Sequence, residues 1–206
     1  MTTKTIAGLY DNYTEATQSV RDIEALGIPH EDVSIVASNI DEQYVATATS
    51  NAGPDAAAGA GVGAVVGGGI GALAGLGMLA IPGVGPVVAA GWLVAMAVGA
   101  VAGAGAGGAT GGIVGSLTGS GVSDEHAHVD AEGVRRGGTL VTVRADEGQA
   151  AAVEQIMRGN HAVDPVLRGR TYRDAGWTTF DATAKPYTAT ELAEERQRNR
   201  DLTPVL

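Results

Sequence analysis

Residues 59–77 read GAGVGAVVGGGIGALAGLG, and whether this stretch is a linker, a buried helix or a membrane segment decides how the whole chain is read. Its glycines are not scattered. Gly59, Gly63, Gly67, Gly71 and Gly75 recur at every fourth residue, and Gly99, Gly103, Gly107, Gly111, Gly115 and Gly119 repeat the step further on. On a helix, a four-residue step keeps these positions on one slowly drifting stripe without side chains, so another backbone can approach closely. A flexible linker has no use for that spacing. Nor does it need the larger residues on the other faces: Val62, Val65, Ile70, Leu73 and Leu76, then Trp92, Leu93, Met96, Val98, Val101, Ile113 and Leu117.

The glycines belong to a long uncharged run. Of the 32 in the chain, 22 lie between Ala56 and Ser123, 68 residues without Asp, Glu, Lys, Arg or His. The run is punctuated at IPGVGP (81–86), where two prolines and two glycines stop a helix and favour a turn. The pattern predicts a helical hairpin with arms at about 56–80 and 87–119, each longer than the roughly 20 apolar residues that cross a bilayer. Glycine costs up to ~1 kcal/mol per interior helix position relative to Ala, so such arms need support from outside. Lipid supplies it in one reading, and packing inside a soluble oligomer supplies it in the other.

The flanks carry all the charge. Residues 1–55 hold two basic and nine acidic residues, and 124–206 hold eleven and fourteen, for a net charge of −10. An acidic surface argues against nucleic acid as a partner, because phosphate binding needs clustered Lys and Arg. The absence of cysteine excludes disulfides, thiol catalysis and Cys-ligated metal. MTTKTIAGLYDNYTE (1–15) lacks a continuous apolar core, so it does not read as a secretory signal, and the polar flanks are expected in the cytoplasm.

Period and capping signals give the flanks a fold. TIAGLY (5–10) reads as a strand, and DNYTEATQSVRDIEALG (11–27) as a helix with Ala16, Val20, Ile23 and Leu26 on one face, closed by Gly27. EDVSIVAS (31–38) is a second strand. Beyond the hairpin, 123–138 is a short helix capped by Ser123 and ended by Gly137 and Gly138. TLVTVRA (139–145) is then a strand, 146–159 a helix, and HAVDPVL (161–167) a last strand. The expected class is α+β: a split βαβ, ferredoxin-like domain with an inserted glycine-zipper α-helical hairpin and a C-terminal tail. Its parts are 1–55 and 123–167 for the two halves of the polar domain, 56–122 for the hairpin and 168–206 for the tail. Helices on one side would leave a sheet face holding some of Ile6, Ile35, Val141 and Val143 open to a second copy, which predicts at least a dimer.

Three segments in order, IAGLYDNYTEATQSVRDIEALGI with VSIVAS, GALAGLGMLAIPGVGPVVAAG, and VRRGGTLVTVRAD, resemble the bacterial general stress proteins with a heat-induced, YflT-like module and a Gly-rich hairpin. The resemblance covers residues 4 to 165. It implies stress induction and membrane association or assembly, with no defined reaction. The tail beyond residue 168 is not part of the common family pattern. It mixes Tyr172, Trp177, Phe180 and Tyr187 with arginines, the residue types that anchor interfaces, and predicts a helix over 190–200 with Glu194 and Arg198 paired. It reads either as a surface tail or as a strap around a neighbouring subunit.

Little in the chain points to catalysis. His126, His128, Asp130 and Glu132 are the one cluster of metal-ligand type, but neighbours two apart on a helix do not share a face, so a solvated acidic helix is the expected reading and no metal or cofactor is assigned. A G-x-G-x-x-G match at Gly103, Gly105 and Gly108 falls inside an apolar run rather than between a strand and an amphipathic helix. No nucleophile-elbow sequence occurs, and the uncharged run holds no acid, base or intramembrane charge. The expectation is a non-enzymatic, stress-associated protein that self-assembles through its glycine stripes in or on the cytoplasmic membrane, with itself and the lipid bilayer as partners. The alternative is a soluble homo-oligomeric shell or filament that buries the hairpins.

Overall fold

The computed structural model describes residues 3–40, 77–93, 96 and 111–202. It is a mixed structure of helices and antiparallel sheet, as the α+β class requires. Strand β1 (Thr3–Tyr10) leads to helix α1 (Tyr13–Ala25), whose Asn12 side chain accepts from Thr14 N at 2.8 Å and satisfies an otherwise orphaned donor. Gly27, with φ +92°, ends the helix. After a 3₁₀ turn at His30–Asp32 comes β2 (Val33–Ser38).

The uncharged run then departs from its expected form. Gly77–Ile81 and Gly85–Ala90 are not the adjoining ends of two helices but strands β3 and β4 of one hairpin. The turn chemistry explains the difference. Val84 N donates to Ile81 O at 3.0 Å, with Pro82 second and Gly83, at φ +77°, third. This is the type II arrangement, in which proline pre-sets one dihedral and glycine accepts the positive one. The β-branched pair Val87 and Val88 then continues an extended strand that finds a ready partner in β2, Ile35 opposite Ala90 and Ser38 opposite Val87. Trp92 and Leu93 resume helical backbone. The bulk of the two expected arms, 56–76 and 97–110, lies outside the described residues.

A π-helical turn at Gly111–Gly115 runs into the short helix α2 (Ser116–Gly119). Helix α3 (Asp124–Arg135) is capped by Ser123, and Gly137, at φ +88°, follows it. Strand β5 (Thr139–Asp146) and helix α4 (Glu147–Gly159) come next. The expected strand over 161–167 is absent. Asp164 caps a helix instead, accepting from Val166 N and Leu167 N, with Pro165 as the first residue of α5 (Pro165–Asp174). An Asp–Pro pair is a strong helix start, and it outweighs the apolar content of the segment. A single bond from Val163 N to Leu9 O, 2.8 Å, is what runs beside β1 at that place. The last helix is α6 (Ala189–Leu202).

The sheet order is β1-β5-β2-β4-β3, antiparallel throughout. Period-two alternation sends β-strand residues to opposite faces. Ile6, Ile35, Val141 and Val143 face α1 and α4, packing with Val20, Ile23, Val153 and Met157. Leu9, Val36, Val87 and Leu140 face the other way, against Ala127, Ala131 and Val134 of α3 and against Ile113, Leu117 and Phe180. The expected open face is therefore covered by the chain itself. Ile6, Ile35, Val141 and Val143 are buried under the two helices that the sequence predicted, and the argument for a dimer through that face falls.

Candidate functional site

Two places in this fold collect unusual residues, and the first is the open end of the β3–β4 hairpin. Gly77 stands opposite Ala89, so the chain enters β3 and leaves β4 at one end of adjacent strands. Both glycine-rich segments therefore join the sheet side by side. The exit is tightly built. A Cβ on Gly91 would lie 2.6 Å from Ser34 Cα, and Trp92 Nε1 donates to Asp32 O at 3.1 Å. The Arg144 guanidinium sits 4.9 Å over the Trp92 ring and pairs with Asp32 at 2.9 Å. Buried Ile113 and Leu117 return the second segment to the core.

Of the stripe glycines, Gly59, Gly63, Gly67, Gly71, Gly75, Gly99, Gly103 and Gly107 lie outside the described residues, as does the G-x-G-x-x-G match. Gly111 and Gly115 bound the π-helical turn, and Gly119 ends α2, where an added Cβ would meet nothing within 4 Å. Among the described residues no helix is long and apolar enough to cross a membrane.

The second place is where the tail meets α3. Arg136 is 8 % exposed and lies between two buried carboxylates, with Nε 2.7 Å from Glu132 Oε1 and Nη1 2.8 Å from Glu195 Oε1. Its guanidinium stacks 4.3 Å from the Tyr172 ring. Neighbouring Arg135 lies 4.6 Å over Tyr187 and donates to Lys185 O at 3.1 Å. Burial by itself would lower the Arg136 pKa, but the bonds to Glu195 and Glu132 outweigh it and hold the guanidinium more firmly protonated than usual. Arg168, clasping Asp11 through two bonds of 2.7 and 2.6 Å, is held the same way against the same burial penalty.

All four tail aromatics lie against their own chain. Tyr172 is buried and meets Trp177 edge-on at 5.7 Å; Phe180 enters the core beneath α3; Tyr187 is half-buried on Arg135. Arg198 pairs with Glu195 rather than with Glu194. The Glu132–Arg136 pair was legible as a four-residue step on a helix. Its third member, Glu195, is 59 positions away and carried no sequence signal.

The His/Asp/Glu cluster is dispersed by its helix. His128 Nδ1 is 3.0 Å from Thr179 Oγ1, Glu132 belongs to the arginine pair, and Asp130 is buried. No group of three metal-type ligands forms among the described residues. Burial pushes the Asp130 carboxyl up to about 7. A shallow groove between α1 and α4 holds Asp22 and Asn160, whose side chains already bond each other at 2.9 Å.

One comparison bears on affiliation. Residues 5–83 match the family model of the heat induced stress protein YflT domain. The YflT match spans β1, α1 and β2 and ends at Gly83, inside the hairpin turn. It supports the general stress protein resemblance over that range, and the VRRGGTLVTVRAD segment lies beyond it. Within the YflT segment β1 and β2 do not bond each other, because β5 stands between them and bonds both. The matched segment thus completes its sheet with a strand from outside the match. Neither a curated protein nor a solved structure matches the chain.

Proposed function

We propose that this is a non-enzymatic, stress-associated protein that self-assembles through its glycine-rich segments, with a folded domain of split βαβ, ferredoxin-like descent as their mount. The observation that carries the reading is the shared attachment at the open end of the β3–β4 hairpin, Gly77 opposite Ala89. Adjacent strands lie about 4.8 Å apart, so the two small-residue stripes leave the domain close enough to pack on each other or on the same stripes of another copy.

Chain topology favours an assembly over a spanning hairpin. β2, the β3–β4 hairpin and the segment from Gly111 onward all belong to one domain, so each segment between them must leave and return on the same side of a bilayer. A return trip takes two crossings of about 20 apolar residues each. The first segment, 39–76, carries an uncharged run of 21 residues, 56–76, and the second, 91–110, has 20 in all. Each suffices for one crossing, not two. The reading is therefore a homo-oligomer with glycine stripes buried between copies, and any membrane contact is at the surface.

The test is the double variant Gly67→Leu, Gly107→Leu. Side chains on the stripe should hold the copies apart and lower the assembly size on a sizing column with light scattering, while α+β circular dichroism stays unchanged. An unchanged assembly size would remove the stripes from the mechanism. Carbonate-resistant protein floating with lipid would overturn the topological argument.

A further inference from the structure

The tail from Ala175 to Leu202 lies in a groove shaped to receive it. A Cβ on Gly83 would fall 2.6 Å from Asp181 O and 2.7 Å from Ala182 Cα, and one on Gly85 would fall 2.8 Å from Pro186 Cβ. On Gly137 it would stand 3.1 Å from Leu192 Cδ2. These three glycines hold positive φ for their own turns, and the tail packs into the space left by their missing side chains. Along the same path the tail makes specific anchors: Phe180 in the core, Tyr187 on Arg135, Leu192 fully buried and Glu195 on Arg136. This is the anatomy of a peptide seated in its site, although the peptide is covalently attached.

The charged anchor is built so that separation strands nothing. When Glu195 leaves, Arg136 keeps Glu132, a partner on its own helix at 2.7 Å. Glu195 in turn keeps Arg198, a partner on its own helix three residues away. An ordinary buried ion pair leaves an uncompensated charge when one side is removed, at a cost of several kcal/mol. Here each side carries its counter-ion with it. Apart from Ala189, Leu192 and Ala193, moreover, the strap helix over residues 189–198 is polar or charged and exposes little apolar surface when free.

We propose that the tail is a detachable strap, and that its groove over Gly83, Gly85, Gly137 and Arg136 also takes the same strap from a second copy of this chain, each copy lending Phe180, Leu192 and Glu195 to the other. The second copy is the fitting occupant because every contact that holds the strap in its own groove is reproduced when the donor is another chain. The exchange does not depend on the glycine-rich segments.

The chain has no cysteine, which allows a direct test. His128 Nδ1 and Thr179 Oγ1 are 3.0 Å apart across the groove edge, both outside the anchors. The double variant His128→Cys, Thr179→Cys reports strap seating within one chain through an intrachain disulfide. A mixture of the two single variants, oxidised after co-incubation, reports exchange through a disulfide dimer containing one chain of each, identified by mass. Exchange predicts that mixed dimer, and predicts that adding Phe180→Ser and Leu192→Ser to the Thr179→Cys chain lowers its yield at least about tenfold, given the burial of both anchors. The same yield in a Gly67→Leu, Gly107→Leu background separates strap exchange from assembly through the stripes. An intrachain bond in the double variant, with no mixed dimer above the anchor-less control, would overturn exchange. Failure of the double variant to close, either by oxidation or with a short thiol-to-thiol crosslinker that spans the wider Cβ separation, would refute the seated strap and the proposal with it.

Discussion

Gly83→Ala isolates what the strap contributes, provided it is compared with Gly27→Ala. Both glycines have positive φ, +77° and +92°, and an L-residue there costs about 1–2 kcal/mol in either case. They differ in their surroundings. A methyl at Gly27 meets nothing within 4 Å, so its cost is the backbone cost. A methyl at Gly83 meets the strap backbone at 2.6 and 2.7 Å, and backbone cannot swing aside as a side-chain tip can. The strap must lift at Asp181, one residue from Phe180, whose burial against α3 is worth about 1.5–3 kcal/mol. Gly83→Ala should therefore be less stable than Gly27→Ala by about 1.5–3 kcal/mol in urea unfolding. Amide exchange locates the loss: Trp177 N and Leu192 N, bonded to Tyr172 O and Thr188 O, should exchange faster in Gly83→Ala and not in Gly27→Ala. Equal destabilisation of the two variants, with equal protection at those amides, would refute a strap that bears on the turn.

Asp130 makes stability depend on pH in an unusual sense. Its folded pKa, pushed up to about 7 by burial, lies well above that of an aspartate in water, so the native state binds the proton more tightly than the unfolded chain. Its favourable contribution is full below about pH 4 and is lost as pH rises towards 7, by up to about 4 kcal/mol. Asp130→Asn should match the parent at pH 4 and exceed it at pH 8 in thermal melts, and a parallel pH dependence of the two proteins would show that the carboxyl is not desolvated. At the buried arginine, Arg136→Met takes the shared cation from two carboxylates and should cost about 3 kcal/mol, while Glu195→Gln leaves Arg136 with Glu132 and should cost about 1 kcal/mol. Chemical denaturation of the pair checks the order, and equal losses would contradict the spare-partner arrangement.

What was readable in advance follows the range of the forces involved. Gly27, Ser123 and Gly137 act on amides and carbonyls a few residues away, so helices α1 and α3 were legible with their ends almost in place. Strands β2 and β5 were legible as well, VSIVAS and TLVTVRA being rich in β-branched residues. At IPGVGP the residues announced a turn, but a turn can join helices or strands, and the choice rested on whether Val87 and Val88 had a strand to pair with. β2, some fifty positions back, supplied it. The 161–167 segment shows the reverse error, where apolar residues suggested a strand and the local Asp164–Pro165 signal should have prevailed.

By itself the sequence determined the coarse class of the protein, its acidic flanks, the four-residue spacing of its glycines and the ends of helices α1 and α3, because each of these is composition or a contact over one turn of chain. Only the tertiary structure decided that β5 enters between β1 and β2, that the chain covers both faces of its own sheet, and that Glu195 meets Arg136 under the strap. Those arrangements are fixed by burial and pairing between residues far apart in the chain, and an apolar or charged side chain carries no mark of which distant partner will remove it from water.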